Sequence, residues 1–170
     1  MTIPRRPFRL NVGFLIKQPV GYSHEFPFDF EEIQIDGDLD LRHFNGVATF
    51  GRTPQGLILQ GEFSADFGMQ CVRCLTDFYG NIHWTMTELF AFNRRNVAES
   101  GLLLPEDAQV DLAPLIREYA LLEIPIKPIC KQDCKGLCLV CGENLNQRDC
   151  GHQPEMDESP FSVLKDLLDK

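Results

Sequence analysis

Basic charge is scarce in this chain: 16 Lys+Arg face 25 Asp+Glu, a formal net charge of −9. Counterion release on nucleic acid needs a surplus of Lys and Arg on the contact face, so broad coating of a phosphate backbone is excluded and only local contact remains open. Long hydrophobic runs are missing as well, and no stretch approaches the roughly 20 apolar residues of a membrane span. The opening MTIPRRPFRLNVGFLIK carries early arginines, but Asn11, Gly13 and Lys17 interrupt its apolar run and no small-residue cleavage site follows. A secretory signal is therefore not expected, and the chain reads as cytoplasmic. There is no phosphate-binding glycine loop, nucleophile elbow or helical H-E-x-x-H motif. The four histidines, His24, His43, His83 and His152, are scattered, and no two carboxylates can be paired for acid–base work. These absences lead to the expectation of a protein that is not an enzyme and has no evident small-molecule substrate.

What is present suffices for one core and a small appended module: 170 residues, 44% hydrophobic. From Leu39 to Phe92 the dominant period is two. Leu57, Leu59, Gly61, Phe63, Ala65, Phe67, Met69 and Cys71 fall on one side of a half-buried strand, with Gln60, Glu62, Ser64, Asp66 and Gln70 opposite. A second strand places Phe78, Ile82, Trp84, Met86, Phe90 and Phe92 on one face, and RTPQG joins the first to an earlier strand near Leu39–Phe50. After Pro105 the period becomes helical: Asp111 is a candidate N-cap, Pro114 sits in the first turn, and Leu112, Leu115, Ile116, Tyr119 and Leu122 share a face. The expected fold class is α+β, an antiparallel β-meander or partly open barrel packed by one main helix. The divisions are a β-rich core over 1–124 with its helix at 111–124, a Cys-rich metal-binding segment over 125–152, and an acidic tail with a short helix over 153–170. Charge is segregated at the start of the chain. Arg5, Arg6, Arg9 and Lys17 carry no acid among them, while residues 21–41 hold seven acids and no Lys or Arg. The first group is the candidate for contact with RNA; the plainer reading is of neighbouring solvated faces that offset one another.

Seven cysteines are the strongest chemical signal, and five of them lie between Cys130 and Cys150. In a reducing compartment such clustering points to metal ligands or catalytic thiols rather than disulfides, and the odd total fits a complete disulfide framework poorly. The run ICKQDCKGLCLVCGENLNQRDCGH has the order C-x3-C-x3-C-x2-C-x8-C-x-H. Its C-x2-C-G turn lets two thiolates face one ion, and glycine after the second cysteine admits the left-handed backbone such a turn needs. Thiolate-rich tetrahedral coordination favours zinc over an iron–sulfur cluster. The local ligand set is Cys130, Cys134, Cys138 and Cys141, with Cys150 or His152 as substitutes for one of the first pair. A composite set would join Cys71 and Cys74 to Cys138 and Cys141. The pair Cys71/Cys74 falls in the connection of a β-hairpin. A redox dithiol normally sits at a helix N-terminus, so a structural or ligating role is the better reading.

The combination of QCVRCL after a β-rich first half, the helix DLAPLIREYALLEIP, and CKQDCKGLCLVCGENLN resembles the YceD family, the large ribosomal RNA subunit accumulation proteins. The resemblance covers most of the chain. It implies a non-enzymatic ribosome biogenesis factor that supports large-subunit rRNA accumulation, a zinc-stabilised protein binding precursor rRNA or a ribosomal protein. In the family pattern, Cys71 and Cys74 match the early pair and Cys130, Cys134, Cys138 and Cys141 the later cluster. Where many relatives end in C-x-C, this chain has Cys150-Gly151-His152. The alternative class is a thiol redox sensor or oxidoreductase using the C-x2-C pairs.

Overall fold

The computed structural model describes residues 6–152. Its strands and helices in chain order are β1 (Arg9–Asn11), α1 (Gly13–Ile16), β2 (Ser23–Ile35), β3 (Leu39–Arg52), β4 (Gly56–Gln70), β5 (Asp77–Ala91), β6 (Gln109–Asp111) and α2 (Ala113–Glu123). Four long strands form an open antiparallel meander in the order β2-β3-β4-β5, and β1 pairs with β6 in a separate two-stranded ribbon. The α+β class expected from the sequence is observed, as an open sheet rather than a closed barrel. The tail helix expected over 153–170 lies outside the described residues.

Strict alternation builds the core. On β4, Leu57, Leu59, Phe63 and Ala65 are buried while Gln60 and Glu62 are exposed; on β5, Ile82, Trp84 and Met86 are buried while His83, Thr85 and Thr87 face out. The register sets Phe63 directly opposite Trp84. Their rings stack with centroids 5.7 Å apart, and Phe44 completes a triangle with them, 5.6 Å from Phe63 and 6.0 Å from Trp84. Phe28 and Phe8 extend the aromatic row towards the ribbon, with Phe8 5.4 Å from Phe44. Ile116 and Ala120 of α2 close over this same core.

The helix begins where local chemistry dictates. The N-cap is Leu112, one residue after the expected Asp111; the Asp111 carboxylate still accepts a hydrogen bond from the Ala113 N–H at 3.0 Å, satisfying a free donor of the first turn, and Pro114 occupies a position that needs no donor. Ile124 is already extended at the helix end, as the following Pro125 requires. Arg117 pairs with Asp38 through its Nε at 2.9 Å and through its Nη2. The Tyr119 hydroxyl donates to Glu88 at 2.8 Å, so α2 is tied to the β2–β3 turn and to β5.

Strand β2 runs through the acidic stretch that charge alone marked as a solvated face. Phe28, Ile33 and Ile35 are its buried positions, so its alternation changes phase between Phe30 and Ile33. β3 changes phase in the same place, from Leu39 and Leu41 to Phe44, Ala48 and Phe50, where the β3–β4 register shifts between Arg42 and Asn45. A β-bulge therefore rotates both strands together. His43 sits in it with φ 48°. Its Nδ1 lies 2.8 Å from the Asp66 carboxylate, which raises the His43 pKa above the ordinary 6.5. The Asn81 amide and His43 hold the Asp66 carboxyl below the usual carboxylate range.

The sign of this linkage is definite. A histidine raised in the folded state contributes stability fully below pH 6.5 while Asp66 stays ionised, and loses it as pH rises through the folded value. An NMR titration is expected to place the His43 midpoint above that of an unfolded peptide, and Asp66→Asn is expected to return it. A midpoint unchanged by Asp66→Asn would remove the pairing.

Candidate metal centre

The β4–β5 connection is a six-residue turn, Cys71 to Thr76, closed by the Cys71 N–H donating to Thr76 O at 2.9 Å and the Leu75 N–H donating to Cys71 O at 2.9 Å. Folding this way turns both thiols of CVRC to one side, against the chain that returns after α2. The Val72 N–H donates to Pro128 O at 2.9 Å and the Leu137 N–H donates to Arg73 O at 3.1 Å. The Arg73 guanidinium donates to Cys134 O at 3.1 Å. Gly136 makes this close approach possible, because its φ is +77° and a Cβ there would stand 3.2 Å from Arg73 O.

The consequence is a first group of Cys71, Cys74, Cys130 and Cys134, whose sulfurs all lie within 4.8 Å of one another. Cys71 Sγ is 3.8 Å from Cys134 Sγ, and Cys74 Sγ is 3.6 Å from Cys130 Sγ. A tetrahedron with Zn–S bonds of about 2.3 Å has S···S edges of about 3.8 Å, whereas a disulfide would bring the atoms to about 2.0 Å. The spacing is that of ligands around a common centre. Cys71, Cys74 and Cys134 are buried and Cys130 is half-buried.

A second group gathers Cys138, Cys141, Cys150 and His152 by the same criterion. The C-x2-C-G turn forms as its sequence implies. The Gly142 N–H donates to Cys138 O at 2.9 Å, the Val140 N–H donates to Cys138 Sγ at 3.4 Å, and Gly142 has φ +74°.

Thiol acidities follow from these surroundings. Burial would push Cys71 up, but the backbone N–H groups of Cys130, Cys74 and Arg73 together outweigh it and bring the thiol down to about 6. The Thr76 hydroxyl and backbone lower Cys74. The N–H groups of Cys141 and Val140 bring Cys138 to about 6. Cys130 is pushed up to about 12, by burial first and then by the neighbouring thiols of Cys74 and Cys134. The His152 N–H pulls Cys150 down, but Cys138, burial and Cys141 together outweigh it and raise the thiol. Sulfurs crowded this closely cannot all ionise unless a cation compensates them, and a divalent ion is the natural compensation.

The structure thus distributes the sequence candidates differently from either grouping read from spacing. Cys130 and Cys134 stand with Cys71 and Cys74, apart from Cys138 and Cys141. Cys150 and His152 stand with Cys138 and Cys141, in the place that the local set gave to Cys130 and Cys134. The physical reason lies in the backbone bonds: the Val72 and Leu137 N–H groups bind Pro128 O and Arg73 O and hold Cys130 and Cys134 against the hairpin, while Cys138 N–H donates to Glu143 O and Leu145 N–H to Gly136 O, closing a separate loop around the second group. Among the candidates for RNA contact, Arg5 lies outside the described residues, and Arg9 is engaged with Asp107 at 3.2 Å. Arg6 and Lys17 are exposed.

The ENLN run that follows the C-x2-C-G turn supplies two supporting side chains. Asn144 donates to the Thr76 hydroxyl at 3.1 Å, beside Cys74. The Asn146 amide donates to Cys134 Sγ at 3.4 Å and accepts from the Lys135 N–H at 3.0 Å. These asparagines support the ligands from outside, orienting a sulfur and offsetting its charge. In the sequence they show as two asparagines flanking Leu145, shortly after the ligand turn.

The family described as "Large ribosomal RNA subunit accumulation protein YceD" matches residues 59–168. An uncharacterized protein of Mycobacterium leprae is 30% identical over 118 residues, which is 67% of this chain and 54% of that protein. An uncharacterized protein of Mycobacterium tuberculosis is 30% identical over 135 residues, 77% of this chain and 61% of that protein. The chloroplastic large ribosomal RNA subunit accumulation protein YCED homolog 1 of Arabidopsis thaliana is 39% identical over 66 residues, 39% of this chain and 21% of that protein. The chain spans between about half and three fifths of the length of these mycobacterial relatives. No solved structure matches it.

Proposed function

The chain belongs to the YceD family, and we propose that it is a non-enzymatic, cytoplasmic ribosome biogenesis factor supporting accumulation of large-subunit ribosomal RNA. The observation that carries this reading is the family match over 59–168, which takes in both the hairpin pair and the later cysteine run. A zinc ion held by Cys71, Cys74, Cys130 and Cys134 stabilises the Cys-rich segment against the sheet.

The partner that best suits the surface is a basic ribosomal protein. Net charge is −9, and the edge strand β2 carries exposed Glu25, Asp29, Glu31 and Glu32. Precursor rRNA is the alternative partner, and a steep salt dependence of binding would single it out. No helix among the described residues is long and apolar enough to cross a membrane.

The redox reading is less well supported. Cys71 is 0% exposed and faces three other sulfurs rather than a substrate channel. Non-enzymatic action accords with the same arrangement, because the clustered reactive groups are turned towards one another as ligands.

The test is cellular. Depletion of the protein is expected to lower large-subunit rRNA and large-subunit particles relative to the small subunit in a sucrose gradient. Unchanged particles and rRNA would sink the proposal.

A further inference from the structure

We propose that the chain carries two zinc ions, the second held by Cys138, Cys141, Cys150 and His152 independently of the one at Cys71, Cys74, Cys130 and Cys134. The inference rests on the zinc part of the preceding reading but not on its ribosomal role, and a metal count tests it without reference to rRNA.

Eight ligand atoms divide into two complete sets of four with none shared. Structural zinc is four-coordinate, so each set is a full shell and neither needs a donor from the other. The second set has mixed chemistry, three sulfurs and one imidazole. Cys138 Sγ lies 3.9 Å from His152 Nδ1. A tetrahedral S···N edge around zinc is about 3.6 Å, from bonds of about 2.3 and 2.0 Å. The two atoms are too far apart for a strong hydrogen bond and close enough to be bridged by an ion.

The backbone around this set is specified by local hydrogen bonds instead of regular structure. Cys138 N–H donates to Glu143 O at 2.8 Å, Leu145 N–H to Gly136 O at 3.0 Å, and Arg148 N–H to Asn144 O at 3.1 Å. The Asp149 carboxylate accepts from the Gly151 N–H at 2.9 Å, turning Cys150 and His152 back towards the C-x2-C pair. Gly151, with φ +69°, supplies the left-handed residue that this turn needs. Two turns separated in sequence therefore bring their four donor atoms within 4.8 Å of one another. The odd number of cysteines is resolved in the same step: seven thiols and one imidazole make two tetrahedra.

The two ions differ in accessibility. The first is enclosed by three buried cysteines between the hairpin and the returning chain, whereas in the second set Cys141 and His152 are exposed. The second ion should leave first.

The experiment uses the full-length chain, saturated with zinc and desalted. Elemental analysis is expected to give two zinc ions per chain. The double variant Cys141→Ser/His152→Ala should keep one, and Cys71→Ser/Cys74→Ser should lose the first ion. A chromophoric chelator should draw zinc from the native protein in two phases, with rates differing about tenfold or more, and the double variant Cys141→Ser/His152→Ala should lack the fast phase. Replacement by cobalt(II) provides a readout of donor type. The ligand-field bands of a site with three thiolates and one imidazole should be present beside those of a site with four thiolates. His152→Cys should retain two ions while converting the spectrum to the four-thiolate form alone. One zinc in the native protein overturns the proposal. So do two ions in Cys141→Ser/His152→Ala, or the loss of both from that variant while the circular dichroism of the sheet is unchanged.

Discussion

Stripping zinc with a strong chelator is expected to unfold the segment from about residue 126 to 152 while leaving the sheet intact. The two halves of the molecule are held by different means. The main core contains Phe44, Phe50, Phe63, Trp84, Ile116 and their neighbours and no cysteine. The second cluster consists of Cys71, Cys74 and Cys134, with only Phe78, Cys130 and Leu137 packed against it. Three small thiols and a few half-buried neighbours bury too little apolar surface to offset the ordering of an irregular chain at roughly 1–2 kcal/mol per residue. Structural zinc contributes apparent binding free energies of about 10–16 kcal/mol in zinc-finger peptides, which is the scale required.

Limited proteolysis should therefore become rapid at Lys127, Lys131, Lys135 and Arg148 after chelation. The near-ultraviolet circular dichroism of Trp84, buried in the sheet core, should stay as it was. Re-addition of zinc should restore resistance to the wild type and not to Cys71→Ser/Cys74→Ser. If proteolysis at these sites is unaffected by complete metal removal, packing alone holds the segment and the metal reading fails.

The opposite pattern is expected for Phe63→Ala. Phe63 is 1% exposed, stacked against both Phe44 and Trp84 in a mutual triad and opposite Trp84 in register. Truncating it leaves a ring-sized void in a row where every neighbour is itself fixed by strand pairing, so relaxation is limited. A loss of about 3–5 kcal/mol follows for a buried aromatic of this kind. For a chain of this size that lowers Tm by on the order of 10 °C. Zinc stoichiometry below the transition should be unchanged, because no metal-ligand contact passes through Phe63. A Tm shift under about 2 °C would show that the aromatic row is not what holds the sheet. Together the two experiments separate a core maintained by apolar burial from a segment maintained by coordination.

How far these parts were legible in the sequence depended on the range of the interaction. Strands β3, β4 and β5 could be read because each buries one face, and period two survives in Leu57, Leu59 and Phe63 or in Ile82, Trp84 and Met86 regardless of what packs on them. The helix could be read from Pro114 and a 3.6-residue period for the same reason, although its last turn buries Ala120 and leaves Leu122, expected on the same face, 76% exposed. Strand β2 could not. Its acids dominated its composition, and its alternation breaks between Phe30 and Ile33 because of a bulge centred on the neighbouring strand.

The metal segment shows the same boundary. The sequence by itself determined that the cysteines cluster, that C-x2-C-G forms a ligand turn, and that thiolate-rich chemistry suits zinc. All of this is local: which donors are available and how a tight turn with glycine at its end can point two of them. Only the tertiary structure decided which pairs meet. Cys71 and Cys74 are separated from Cys130 and Cys134 by strands β5 and β6 and helix α2, and no spacing rule encodes that the β4–β5 turn and the end of α2 emerge side by side. Partner choice among ligand pairs is set by where the sheet and helix deliver the chain, and by the loop closed by Cys138 N–H on Glu143 O and Leu145 N–H on Gly136 O, which holds Cys138 and Cys141 apart from the hairpin.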